Sequence, residues 1–182
     1  MCPHGYTVLK HDYKELGGSF QVFHYTEILD KLIKQGKITL KQPIENLGTI
    51  TYHDSCYLGR YNKIYDQPRD ILKALKSGSL VEMKSHHAKS FCCGAGGGRM
   101  WMEEDLGTRI NQKRTQEAEA SGAKTICTAC PFCYTMISDG IKELDLSEKL
   151  QAFDIAQLVA KAAGLDQKTN KAGGEGEQEA AN

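Results

Sequence analysis

The sequence has no surplus of charge: Lys and Arg number 23, and so do Asp and Glu. A balanced chain lacks the summed field that draws a polyanion, so no nucleic-acid partner is expected. There is also no apolar run near the ~20 residues that a membrane span needs, and the start, MCPHGYTVLK, lacks the apolar core of a signal peptide. The expected compartment is the cytosol, with any membrane association arising through a partner or through segments upstream of Met1. The tail, 166–182, holds no large apolar residue to offset the entropy of ordering it and is expected to be disordered. A chain of 182 residues with 40% hydrophobic content suffices for one domain, or for one domain with a piece of another.

Against those absences stand seven cysteines. That is many for a compartment where thiols stay reduced, so metal ligation or redox chemistry is expected before a disulfide framework. Five of them fall in a one-two-two arrangement: Cys56, then 35 residues, Cys92-Cys93, then 36 residues, and Cys130-Pro131-Phe132-Cys133. Four thiolates fill a tetrahedral zinc site, which leaves the fifth unexplained. Neighbouring cysteines point apart in regular structure, so Cys92 and Cys93 need irregular backbone to face one target. The glycines of SFCCGAGGGRMW supply that freedom and bring main-chain N–H groups close to an anionic centre. A dinucleotide loop is not the reading here, because Gly94-Ala95-Gly96 would require glycine at 99, where Arg99 stands. Cys127 would complete a ferredoxin-like run with Cys130 and Cys133, but the fourth cysteine followed by proline is missing and its apolar setting marks it as core.

Along the chain, apolar spacing predicts a short helix over 6–16, a strand at 20–23 and a helix from Thr26 to Gly36. A strand at 49–52 then delivers the chain to HDSCYLGRY, and a helix follows over 70–76. Further strands are expected at 79–84 and 123–129, a helix from Met100 to Ser121, a helix opening at Pro131, and a last one over 154–163. Strands alternating with helices imply an α/β fold, a short parallel sheet flanked by helices, whose ligands gather at the carboxyl ends of the strands.

The segment CPHGYTVLKHDYKEL at 2–16 also matches CPFCYTMISDGIKEL at 130–144 without a gap, and His24 to Leu29 align with Asp154 to Val159. Two related units are therefore expected, with Gly5 in place of Cys133 and Cys2 a free thiol.

The cysteine pattern resembles the cysteine-rich CCG domain of the heterodisulfide reductase B/D family, which spaces a lone cysteine, Cys-Cys-Gly and Cys-x-x-Cys at comparable separations. HDSCYLGRYN, CCGAGGGRMWMEE, RINQKR and TACPFC look most like members that serve as iron–sulfur electron-transfer proteins beside electron-transfer flavoprotein and a quinone. The resemblance implies a complete domain over 47–165, preceded over 1–46 by the C-terminal remnant of a first copy. It implies Cys56, Cys92, Cys93, Cys130 and Cys133 as ligands of a noncubane [4Fe-4S] cluster, with a flavoprotein and other iron–sulfur or quinone-reducing subunits as partners. Zinc held by four of the five, in a docking domain without redox activity, is the alternative. His53, Asp54, Gly94, Gly96 and Arg99 are candidates for the shell around the site. His53 and Asp54 either tune the centre or shuttle a proton, or cap a strand; Arg60 and Arg99 either carry surface charge, neutralise the cluster or meet an acidic partner; His86 and His87 belong to a solvated loop; Met100 and Trp101 pack.

Overall fold

The computed structural model describes residues 2–104 and 107–165. Its centre is a four-stranded parallel sheet in the order β2-β1-β3-β4, built from β1 (Ile50–Tyr52), β2 (Leu80–Val81), β3 (Thr125–Thr128) and β4 (Gln151–Asp154). Parallel strands bury both faces, and each face here has its own apolar cluster. Ile50, Tyr52 and Cys127 share one face and pack with Leu58, Ile71, Leu72, Ile155 and Leu158. Ile126 points the other way, into Ile137, Ile141, Ala118 and Leu150.

Helices cover both faces. On the first lie α2 (Tyr25–Lys34), α3 (Asp66–Ala74) and α6 (Ile155–Ala162), and on the second α4 (Ile110–Ala120) and α5 (Pro131–Glu143); α1 (Pro3–Lys10) stands beside the turn after β1. Because β1 is followed by β2 on one side and β3 returns on the other, the connections leaving β1 and β3 diverge and open a crevice between their carboxyl ends.

The segment before β1 is tied to the sheet. Tyr25 donates its hydroxyl to the Asp154 carboxylate at 2.8 and 2.9 Å, Lys34 bridges Asp30 and Asp70, and the Lys41 amide bonds the Ala162 carbonyl at 2.9 Å. Positions aligned between the two sequence copies play matching local roles. Cys2 and Cys130 each precede a helix that opens on proline, and His24 and Asp154 each cap a helix whose third residue reaches back, Glu27 and Gln157.

Three expected elements differ. Phe20 to Phe23 is extended but pairs with no strand among the described residues, and both phenylalanines are exposed, so no ladder rewards the local β-propensity. The helix expected from Met100 begins only at Ile110: Gly97, Gly98 and Gly107 hold left-handed φ angles that no helix accommodates, and 96–101 forms 3₁₀ turns broken by a kink at Gly97 and Gly98 instead. Strand β4 was not expected; QAFD has half-buried residues and no β-branched one, and it is recruited by pairing with β3. The first helix also stops at Lys10, with a 3₁₀ turn over Asp12–Lys14. The tail from 166 lies outside the described residues.

Close contact of α4 with α5 depends on Gly140. A Cβ there would overlap the Thr115 hydroxyl and lie 3.0 Å from the Asn111 carbonyl oxygen. Gly140→Ala is expected to destabilise the chain by about 1–3 kcal/mol through overpacking, read as a lower urea midpoint with an unchanged slope.

Candidate metal centre

Three loops meet at the β1–β3 crevice. The first, His53 to Cys56, leaves β1 and runs straight into a π-helical turn over Tyr57–Tyr61, a geometry that recurs at functional sites. The second carries Cys92 and Cys93 after β2. The third leaves β3 and places Cys130 at the N-cap of α5, with Pro131 in the first helical position. All seven cysteines are free thiols.

The five expected ligands come together as a chain of neighbours. Cys92 interacts with Cys56 on one side and Cys93 on the other, Cys93 with Cys133, and Cys133 with Cys130. Cys93, Cys130 and Cys133 are buried, whereas Cys56 and Cys92 are half-buried and mark the open side. Cys127 faces the sheet core among Tyr52, Ala129 and Ile155, and burial pushes its thiol up, so it stands apart from the five.

The sulfurs share charge unequally. Cys92 is held far below the usual thiol range by the Cys56 and Cys93 thiols, with the Gly94 amide, 3.3 Å from its sulfur, assisting. The Cys133 thiol and the backbone amides of Cys133 and Phe132, at the start of α5, overcome burial and bring Cys130 down to about 6. Cys56 is raised by its neighbour Cys92 and by burial, and Cys133 is raised by Cys130, Cys93 and burial. For Cys93 the Cys133 thiol pulls downward, but Cys92 and burial prevail and push it up to about 12. Ionising all five demands a cation among them.

Two buried arginines frame the loops without touching sulfur. Arg69, from α3, grips Asp54 with both terminal nitrogens at 2.8 Å and also pairs with Glu82 at 2.7 and 2.9 Å. Asp54 accepts a further bond from the His87 amide at 2.7 Å, which ties the loop after β2 to the loop after β1. Arg114, from α4, has no exposed surface; its Nε donates to His53 Nδ1 at 3.0 Å, and its NH1 reaches the Ser85 carbonyl and Glu117. Ser90 joins these supports, since its hydroxyl bonds the Asp54 carbonyl at 3.1 Å while Arg60 donates to its carbonyl at 2.8 Å. Burial, aided by the Arg114 guanidinium, lowers the His53 pKa to about 3, so its ring is neutral.

The shell expected from the sequence divides. His53 and Asp54 are buried at the site, and a His53 ring nitrogen lies within 4.8 Å of the Cys93 and Cys133 sulfurs. Gly94, at φ +93°, makes the turn that lets Cys92 and Cys93 face the same chamber; a Cβ there would come 3.0 Å from Ile110. Gly96 has open space around it and Arg99 pairs with Glu104, so neither meets a sulfur. Met100 packs on the cysteine cluster, but Trp101 is 82% exposed rather than packed. His86 and His87 are half-buried and 2.6 Å apart at Nδ1, with the His87 backbone anchored by Asp54, so they are not a freely solvated loop. They face Glu82, whose two oxygens are already taken by Arg69.

Arg69, Arg114 and Ser90 escaped the sequence reading, because buried polar residues carry no periodic signal of their own. Cys2 is also less isolated than expected: its sulfur lies 3.1 Å from His4 Nδ1, and both are within 4.8 Å of Cys130. The donor set suits a thiophilic metal–sulfur centre, with Ser55 beside the Cys130 thiol and His53 Nε2 buried nearby without a hydrogen-bond partner.

Comparison with known proteins agrees with this geometry. The cysteine-rich domain family CCG matches residues 50–138. Residues 50–138 form a CCG cysteine-rich domain. The chain is 48% identical over 170 residues to an EtfAB:quinone oxidoreductase of Syntrophomonas wolfei, a match covering 89% of this chain and 23% of that protein. It is 46% identical over 167 residues to a probable iron-sulfur-binding oxidoreductase, FadF, of Bacillus subtilis, covering 91% and 23%. It is 36% identical over 167 residues to the D-type polypeptide of the dihydromethanophenazine:CoB–CoM heterodisulfide reductase of Methanosarcina barkeri, covering 90% and 40%. The chain therefore spans between about a quarter and two fifths of the length of these relatives, and its own gathered cysteines suit an iron–sulfur cofactor. No helix among the described residues is long and apolar enough to cross a membrane.

The Arg69–Asp54 pair makes a prediction with a definite pH sign. Burial raises the Asp54 pKa, but the Arg69 bonds outweigh it and hold the folded value below the unfolded one. The pair's stabilisation is present above the unfolded carboxylate value and lost as pH falls through the folded one. Arg69→Met leaves Asp54 buried without its cation and is expected to cost about 3–5 kcal/mol at pH 7. Burial then dominates, so the variant should gain stability as pH drops from 7 to 5 while the parent chain does not; urea midpoints across that range test the inversion.

Proposed function

We propose that Cys56, Cys92, Cys93, Cys130 and Cys133 hold a noncubane [4Fe-4S] cluster, and that the domain relays electrons between a flavoprotein, such as electron-transfer flavoprotein, and a quinone or disulfide acceptor. The observation that carries this reading is the unbroken row of five neighbouring thiols in one chamber, where four would complete a zinc site. The names of the relatives support it, one being an EtfAB:quinone oxidoreductase and another a component of a heterodisulfide reductase. Further iron–sulfur or quinone-reducing parts would then complete the pathway outside this chain, and residues 1–46 would be the end of a preceding, homologous copy. When bound, the cluster supplies one-electron chemistry at a potential set by its charge, burial and hydrogen bonds.

The protein's own part is to collect, ionise and shield the thiolates. The start of α5 directs amide N–H groups at Cys130, Gly94 turns its amide to Cys92, and the arginine-braced loops keep the sulfurs in place. Cys56 and Cys92 face the open side, which leaves that edge accessible to a redox partner.

Anaerobically purified protein is expected to contain about four iron and four acid-labile sulfide per chain and to give an EPR signal after redox treatment. Cys92→Ala or Cys93→Ala should abolish that signal, while Cys127→Ala should leave it. Stoichiometric zinc in a colourless, EPR-silent sample would instead establish the docking-domain alternative.

A further inference from the structure

One polar group at the chamber has no task in the proposal above. His53 is buried to 1% exposure at the carboxyl end of β1, and its Nε2 has no hydrogen-bond partner. A histidine beside buried cysteines invites assignment as a metal ligand, and a His53 ring nitrogen does lie within 4.8 Å of the Cys93 and Cys133 sulfurs. The other side of the ring argues against ligation.

Arginine has five N–H donors and no acceptor. The Nε–H of Arg114 points at His53 Nδ1 from 3.0 Å, so Nδ1 must present its lone pair. A neutral imidazole carries a single N–H, which must then sit on Nε2. Arg114 itself cannot turn away easily. Its NH1 is held by the Ser85 carbonyl at 2.9 Å and by Glu117 at 2.7 Å, its NH2 lies 3.4 Å from the Ser90 hydroxyl, and the side chain is wholly buried. This arrangement is the reverse of the usual ligand histidine, whose second nitrogen donates to a carboxylate or carbonyl so that the first can offer its lone pair.

We infer that His53 is a fixed N–H donor to the sulfur of the metal centre rather than one of its ligands, and that Arg114 assigns it this role by fixing the ring's tautomer. The inference rests on the proposed metal–sulfur centre for its electrochemical consequence, but the tautomer belongs to the chain alone. An N–H directed at anionic sulfur forms a charge-assisted bond that strengthens as charge accumulates. His53 therefore favours the reduced state of the centre and raises its potential.

Two measurements test this. In the full chain with ¹⁵N-labelled histidine, ring nitrogen shifts and long-range couplings should report His53 as the Nε2–H tautomer in the parent protein, and a proton on Nδ1 or on both nitrogens would overturn the inference. In iron-loaded protein, His53→Phe should retain iron and sulfide but lower the midpoint potential in an EPR-monitored titration. A tenfold loss of preference for the reduced state corresponds to about 59 mV for one electron. His53→Gln, which restores an N–H near the position of Nε2, should recover most of the shift, whereas a change in packing alone would not be reversed by it. Unchanged potential in His53→Phe, or a strong nitrogen hyperfine coupling in the parent chain that marks direct ligation, would refute the donor role. A chain that takes up zinc in place of iron would defeat the iron–sulfur reading, and the tautomer measurement would still decide whether His53 donates or ligates.

Discussion

The governing constraint is repulsion among five sulfurs confined to one largely buried chamber. In a medium of low dielectric, adjacent thiolates raise one another's pKa, so the five cannot readily ionise together. Such a chamber is incomplete as a protein core: its sulfurs are too crowded to be ionised together and too numerous to be incidental. A cation resolves the conflict because it neutralises all of them at once. The metal and the fold are then thermodynamically linked, since whatever binds the assembled thiolates stabilises the state that assembles them.

The two buried arginines follow from the same constraint. A guanidinium placed against the sulfurs would compete with the metal for their charge, whereas both arginines are used one layer out. Arg69 holds Asp54 and Arg114 holds His53, neighbours on the loop that ends in Cys56, and both reach toward the segment that leads into Cys92 through the His87 amide, Ser85 and Ser90. Breaking the Arg69–Asp54 pair would leave a buried charge unmatched, and breaking either contact would release a ligand-bearing loop. Rigidity at the metal is thus purchased with polar groups that never touch it, while the parallel sheet fixes where the loops begin.

That division explains what could be read in advance. Three of the strands, the parallel α/β alternation and the gathering of Cys56, Cys92, Cys93, Cys130 and Cys133 at strand ends were legible, because hydrophobic patterning and cysteine spacing are local or pairwise signals. Strand β4 was not, since QAFD becomes a strand through its neighbour β3 and not through its own composition. The stretch after Met100 looked helical because its residues favour helices, yet the left-handed glycines before and after it keep the backbone from entering one until Ile110. Arg114 sat in the polar run INQKR, which reads as a solvated face; only tertiary structure reveals that α4 turns Asn111, Arg114 and Thr115 inward against α5 and the His53 loop. Polar residues that serve a buried network have no pattern by which a single sequence betrays them.

The burial of the site is also directional. Cys93, Cys130 and Cys133 pack with Met136, Met100 and Ala95, whereas Cys56 and Cys92 are half-buried. Tyr57, next to Cys56, stacks on Tyr61 at 4.7 Å and lies tilted against His4 at 4.0 Å, and His4 in turn meets Phe132 edge-on. An aromatic strip therefore links the ligand turn after β1, the start of α5 and the first turn of α1. A closed side of soft sulfur and methionine limits water and keeps the local dielectric low; an open side of aromatic rings excludes water without adding charge, so a partner can approach the centre without first displacing a tightly held ion. For a relay this asymmetry matters more than the depth of any one ligand, because electrons have to leave by the face on which the next carrier docks. For the relay proposed above, that face would be the Cys56 and Cys92 edge, where the half-buried sulfurs lie.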